Sequence, residues 1–319
     1  MQQHRQIMTE IAPFSLPGHF WRGNIHTHST LSDGALPPEK VIEAYQRAGY
    51  DFLQLSEHFI DHYNWPIADT REFRTKDFTT LIGAELHAPK TSVGELWHIV
   101  AAGLPLDFAP CGPDETGEEI ARRAADAGAF ISLAHPAWSQ LNLEDGRAID
   151  VAHSVEIYNT GCDRENHRGD GSYLLDQLLN DGKRLSANAT DDAHFIHGDF
   201  DAFGGWVHVK TQNLDPDEII EALKAGSFYS SQGPQIHNVS ISDNHIHIDC
   251  SPVNAISLMG GTSRSQIRVG RSITRASLDL AKLEKAWTPT PVSPWLRIVI
   301  TDEAGKRAWT NPIWRDEVL

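Results

Sequence analysis

Absences narrow this chain first. Its 319 residues include three cysteines, Cys111, Cys162 and Cys250, and no CxxC pair. Neither a disulfide framework nor a thiolate zinc site is therefore expected, and a reducing compartment fits. No apolar run approaches the ~20 residues that span a bilayer. The opening MQQHRQIMTEIAPFSLPG lacks the basic start and apolar core of a signal peptide. A cytoplasmic protein with no membrane partner is the expectation. Basic charge is also scarce: 27 Lys and Arg against 43 Asp and Glu give a formal net charge of −16. That argues against nucleic acid as the main partner, because a duplex binder needs a basic face. Small anionic substrates stay open, since a local metal site can attract them against the global charge. Nothing resembles a nucleophile elbow, so a serine acyl-enzyme route is not expected.

Histidine is what the chain has in excess, 17 in all. It is the commonest protein metal ligand. Two of these residues stand in GNIHTHSTLSDG (23–34), as His26 and His28, with Asp33 five residues further on.

Four copies of one module organise the first two thirds: PPEKVIEAYQRAGYDFLQLS (37–56), TGEEIARRAADAGAFISLA (116–134), GSYLLDQLLNDGKRLSANA (171–189) and DPDEIIEALKAGSFYSSQG (215–233). Each reads as a helix stopped by glycine and followed by a short strand, the fourth strand being the weakest. In the second copy, Thr116 and Glu119 form a capping-box pattern. Further strands are expected up to Ile25 and at 79–84, 97–103 and 154–159. Alternation of helices with apolar strands predicts parallel pairing, and seven or so strands suit a closed or nearly closed barrel. After Pro234 the texture becomes alternating apolar and polar. The expected organisation is an N-terminal extension (1–19), an α/β barrel (20–233) and a small antiparallel β domain (234–319). ITRASLDLAKLEKAW reads equally as a strand or a short helix. His245 and His247, in HIHI, read as the polar face of a strand with isoleucines inward.

Chemistry-bearing residues gather at strand ends: His26, His28, His58, Glu85, His135, Asp191 and His194, with His98 opening the run WHIVAAG. In a parallel barrel such positions converge on one rim. Positions i and i+2 of an extended segment face one side, so His26 and His28 point inward together, and the Ser32–Asp33–Gly34 turn returns Asp33 to them. One general base needs one histidine and one orienting group. Six histidines and three carboxylates exceed that need and suit two or three divalent ions, with zinc, manganese and iron all compatible with thiolate-free donors.

HTHSTLSDG, SEH, GAE, WHIVAAG, LAHP and DDAH, in this order over roughly residues 20 to 233, resemble the PHP (polymerase and histidinol phosphatase) family of metal-dependent hydrolases. VEIYN, ALKAGSFYSSQGP and the closing AWTNPIW are similar to its carbaryl-hydrolase-like CehA/McbA subgroup. The resemblance implies a distorted seven-stranded β/α barrel. It also implies a trinuclear site held by His26, His28, Asp33, His58, Glu85, His98, His135, Asp191 and His194, with Glu85 bridging two ions. Asp33, Glu85 and His135 carry the catalytic roles. Ser56 and Glu57 stand where the family often has threonine and aspartate. His62, His87 and His197 lie nearby as supporting or substrate-facing candidates.

The expected reaction is phosphoester hydrolysis by a metal-bridging hydroxide, coordination lowering the water pKa from about 15.7 to roughly 7. Arg164, His167 and Arg168, in the loop 161–171, are candidate contacts to substrate oxygens, with a solvated loop as the alternative. A carboxylester or carbamate hydrolase on the same site is the second reading, and a non-enzymatic metal-binding module the third. Replacing Asp33 or His135 by alanine is expected to abolish turnover while leaving the circular dichroism spectrum unchanged; undiminished hydrolysis would remove both from the site.

Overall fold

A computed structural model describes residues 9–284 and 291–318. The chain divides into two compact units. One is Gly18–Phe228; the other combines Tyr229–Leu319 with the segment before Gly18.

In the first unit the four expected helices form at Pro38–Arg47, Gly117–Asp126, Ser172–Asn180 and Pro216–Lys224. Thr116 and Glu119 close a reciprocal capping box on the second. The glycine that follows each helix (Gly49, Gly128, Gly182 and Gly226) has positive φ, which ends the helical path at little steric cost. The helix Pro38–Arg47 buries Val41, Ile42 and Tyr45 against Leu53, Leu55 and Phe195. The helix Pro216–Lys224 buries Ile219 and Leu223 against Phe52, Leu81 and Val207. Each such side chain contributes about 1.5–3 kcal/mol.

The sheet is mixed, where parallel pairing was expected. His19–Asn24 runs parallel to Phe52–Leu55, which runs parallel to the start of Thr79–Pro89. Phe130–Leu133, Ser154–Asn159 and Ser186–Thr190 are likewise parallel. Leu96–Ala102, however, is antiparallel to both its neighbours. The cause is in the connection: six residues separate Pro89 from Leu96, enough for a hairpin and too few for a crossover helix. That hairpin register also carries the preceding strand past Ala84 to Pro89. A strand not anticipated from the sequence, Trp206–Thr211, pairs antiparallel with His19–Asn24.

The second unit is antiparallel in all its described pairings. Ser265–Asp279 is a strand and Leu280–Leu283 a helical turn, so ITRASLDLAKLEKAW is both; its Lys285, Ala286 and Trp287 lie outside the described residues. Ile246 and Ile248 are buried, while His245 bonds to the Asp243 carbonyl and His247 to Ser242. Among the described residues no helix is long and apolar enough to cross a membrane. Thr116→Ala is expected to cost about 1 kcal/mol through loss of the cap, read as an earlier urea midpoint for Gly117–Asp126 by amide exchange; an unmoved midpoint would mean the cap carries nothing.

Candidate metal centre

The first loop and a later one meet through a single parallel bridge, Thr27 against Ala193. His28 N donates to the Ala193 carbonyl and Asp192 N to the His26 carbonyl. Alternation then sends the residues flanking each bridge position, His26 and His28 on one segment and Asp192 and His194 on the other, into one space. His28 Nε2 lies 3.0 Å from Asp192 Oδ1 and His26 Nε2 lies 3.2 Å from it. Asp33 closes the group from the following turn, 3.3 Å from His58 and 3.4 Å from His194. Gly34 is needed there, because a Cβ would sit 2.8 Å from the His28 backbone.

Glu85 is the centre, fully buried. Its Oε1 lies 2.8 Å from His98 Nδ1, 3.1 Å from His135 Nε2 and 3.6 Å from His26 Nε2; its Oε2 lies 2.6 Å from His58 Nδ1. The reversed direction of Leu96–Ala102 explains why His98, near the start of its strand, shares the rim reached by the ends of the others.

The expectation for Asp191 is corrected. Its carboxylate faces away and is saturated: Asn24, Tyr45 and Thr160 side chains and the Phe203, Gly204 and Gly205 amides all donate to it. The next residue, Asp192, occupies the cluster, because neighbours on an extended segment face opposite sides. The substrate contacts expected of Arg164, His167 and Arg168 are not formed by the cavity lining either. Arg164 donates to the Phe200 and Ala202 carbonyls, His167 caps a short helix in a left-handed conformation, and Arg168 is exposed. His62 and His197 are exposed, away from the cluster.

Partners behind the cluster fix its tautomers. Glu156 takes the His26 Nδ1 proton at 2.6 Å and also accepts from the His135 amide, Asn159 and Thr190. Its signal was legible, a lone carboxylate in the apolar strand SVEIYN. His194 Nδ1 donates to the Asp192 carbonyl and His135 Nδ1 pairs with Ser139. Ser56 and Glu57 hold the first loop: Ser56 bonds to Thr27, and Glu57 accepts from Ser29 and Ser32. His135 and Asp192 both have positive φ, 23° and 56°. Such backbone costs roughly 1–3 kcal/mol and collects at functional sites.

Burial and close carboxylates pull the clustered imidazoles in opposite directions. Burial drives His28 down to about 3 and His98 to about 4. Burial also opposes the charged forms of His58 and His194, yet neighbouring carboxylates outweigh it and hold them up at about 10 and about 9. Surrounding imidazoles keep Glu85 and Asp192 well below the usual carboxylate range in spite of burial. Protons and divalent cations compete for donors of this kind. Two buried atoms, His26 Nε2 and Glu85 Oε2, have no hydrogen-bond partner, which a cation between them and their neighbours would supply. The donors therefore fit divalent ions.

The cluster opens on a cavity of about 410 Å³ whose far walls include Trp138, Cys162, Glu165 and Ile196. Trp138 packs edge-on against His98 and His135, 5.3 and 5.1 Å between centroids. Among the described residues, no lysine or arginine lines it.

No family model matches the chain, and no curated protein does. Solved structures do. A two-domain protein from Bacteroides vulgatus, described as containing a predicted PHP-like metal-dependent phosphoesterase, aligns with a TM-score of 0.52 at 17% identity, over 87% of this chain and 90% of that one. A candidate metal-dependent phosphoesterase from Bifidobacterium adolescentis gives 0.41 at 14%, over 64% and 95%. An amidohydrolase from Chromobacterium violaceum, with bound sulfate and no metal, gives 0.40 at 16%, over 54% and 87%. The chain has the mixed α/β fold of the first.

Asp192→Asn is expected to lose bound metal with little change in stability, whereas Asp191→Asn keeps metal and loses about 1–3 kcal/mol by leaving buried donors unmatched. Glu156→Gln is expected to weaken metal binding 10–100-fold. Metal analysis after graded chelation, beside urea unfolding, separates the three; the reverse pattern for the two aspartates would contradict the assignment.

Proposed function

We propose that the chain is a metal-dependent hydrolase of the PHP phosphoesterase kind, cleaving a small phosphorylated substrate. The observation that carries this is the convergence of His26, His28, His58, His98, His135, His194, Asp33, Glu85 and Asp192, in which the buried His26 Nε2 and Glu85 Oε2 lie in ion-pair range of neighbours without an aligned hydrogen bond. These nine residues would hold two or three divalent ions, manganese, zinc or iron, with Glu85 between them. Ions held there would supply electrophilic polarisation of the substrate and an acidified water. The Thr27–Ala193 bridge supports reading the sheet as the distorted seven-stranded barrel.

The chain's own groups do the rest. Glu156, Ser139 and the Asp192 carbonyl keep the bare nitrogens of His26, His135 and His194 turned inward, so little reorganisation accompanies reaction. Trp138 forms an apolar wall of the cavity beside His98 and His135. Asp33, the most solvent-exposed of the three clustered carboxylates, sits at the mouth where it can hold or pass a proton between His58 and His194. His135 Nε2 lies 3.1 Å from Glu85 Oε1. The occupant is a small molecule, anionic at its reacting group, and not nucleic acid.

A second reading keeps the site and changes the bond to a carboxylester or carbamate, in line with the CehA/McbA resemblance. Its specific support is the lining itself: Trp138 and Ile196 without a cationic side chain. Hydrolysis of p-nitrophenyl phosphate beside p-nitrophenyl acetate, in manganese-supplemented and chelated samples, tests both. Chelator-sensitive phosphate release is expected. Chelator-sensitive cleavage of acetate alone would transfer the assignment to the second reading, and metal-independent cleavage of either would overturn both.

A further inference from the structure

The strand Thr79–Pro89 brings more than Glu85 to the cluster. His87 stands at i+2 from it and so projects from the same side. The antiparallel register sets His87 directly opposite His98, with ring centroids 4.4 Å apart. His87 is 5% exposed. Its Nδ1–H donates to the Trp97 carbonyl at 3.0 Å, which leaves the lone pair on Nε2. That bare nitrogen lies 2.9 Å from His58 Nδ1 and 3.5 Å from Glu85 Oε2.

With the His87 Nδ1 proton committed, a single proton bridges His58 Nδ1 and His87 Nε2, and Glu85 Oε2 stays buried without an aligned donor. A buried carboxylate oxygen left so is costly. A cation in place of that one proton would meet His58, His87 and Glu85 together. His98 completes the set, since ligand atoms from His58, Glu85, His87 and His98 all lie within 4.8 Å of one another. His58 turns Nδ1 to this group, and its Nε2–H faces the Asp33 carboxylate at 3.3 Å, so the neutral ring offers its one lone pair here.

We propose that His87 is a further metal donor, closing with His58, Glu85 and His98 a four-donor site that the nine positions above do not contain. The inference rests on the metal-centre reading under Proposed function and adds one residue and one role to it. Three imidazoles and a carboxylate without thiolate are a donor set that zinc accepts. Four protein donors leave no open position, so this ion supports the neighbouring site and does not meet substrate. The placement of His87 agrees: it does not line the reaction cavity, and backs a separate apolar cavity beside Trp65, Pro89 and Leu96.

Cobalt titration of the full chain, followed by visible and near-ultraviolet absorption and by metal analysis, tests this in wild type, His87→Gln and His87→Cys. His87→Gln is expected to retain one ion fewer per chain. His87→Cys is expected to keep the ion and to add a thiolate-to-cobalt charge-transfer band absent from the wild-type spectrum. Should His87→Gln not fold, the His87→Cys spectrum decides alone. Wild-type ion content and spectrum in the folded variants would overturn the role of His87 while leaving the nine-residue centre standing. A wild-type chain that binds no cobalt would overturn both.

Discussion

The parallel bridge between Thr27 and Ala193 does more than join two loops, because every side chain of the cluster contributed by those loops depends on its register. Shifted by one residue, the first loop would offer Thr27 in place of His26 and His28, and the second would offer Asp191 and Ala193. The register is held by groups outside the ligand set: Ser56 bonds to Thr27, and Asp191 anchors Asn24, Tyr45, Thr160 and the Phe203–Gly205 backbone. Asp191 and Asp192 thus divide one task, the first fixing the loop and the second facing the centre.

Around that register the molecule accumulates features that folding alone would select against. Seven imidazoles and three carboxylates crowd one largely buried space. His135 and Asp192 take up left-handed backbone, and two buried polar atoms are left without partners. Each is unfavourable in isolation. Divalent ions at the proposed centre would offset them, since the carboxylates that raise the pKa of His58 and His194 are also cation ligands.

Much of this was legible in the sequence, and the exceptions have physical causes. The four helices were marked by apolar spacing and by a glycine after each. HTH announced a same-side pair, and the ordered motifs located His58, Glu85, His98, His135 and His194. DDAH was misread at one position because two adjacent aspartates look alike in sequence; the register that separates them is set by a partner some 165 residues away. The antiparallel course of Leu96–Ala102 was legible in the shortness of its preceding loop, but the prevailing helix–strand alternation outweighed that cue. The arginines at 164 and 168 could not be placed, since whether a loop side chain turns to substrate or to a backbone carbonyl depends on tertiary neighbours such as Phe200 and Ala202.

Glu85 is proposed to lie between bound cations. Anomalous diffraction from crystals of the full chain grown with manganese or zinc tests it most directly. The account predicts at least two peaks within bonding distance of the Glu85 carboxylate, each shared with imidazoles of the cluster. A single peak remote from Glu85, or none, would contradict it.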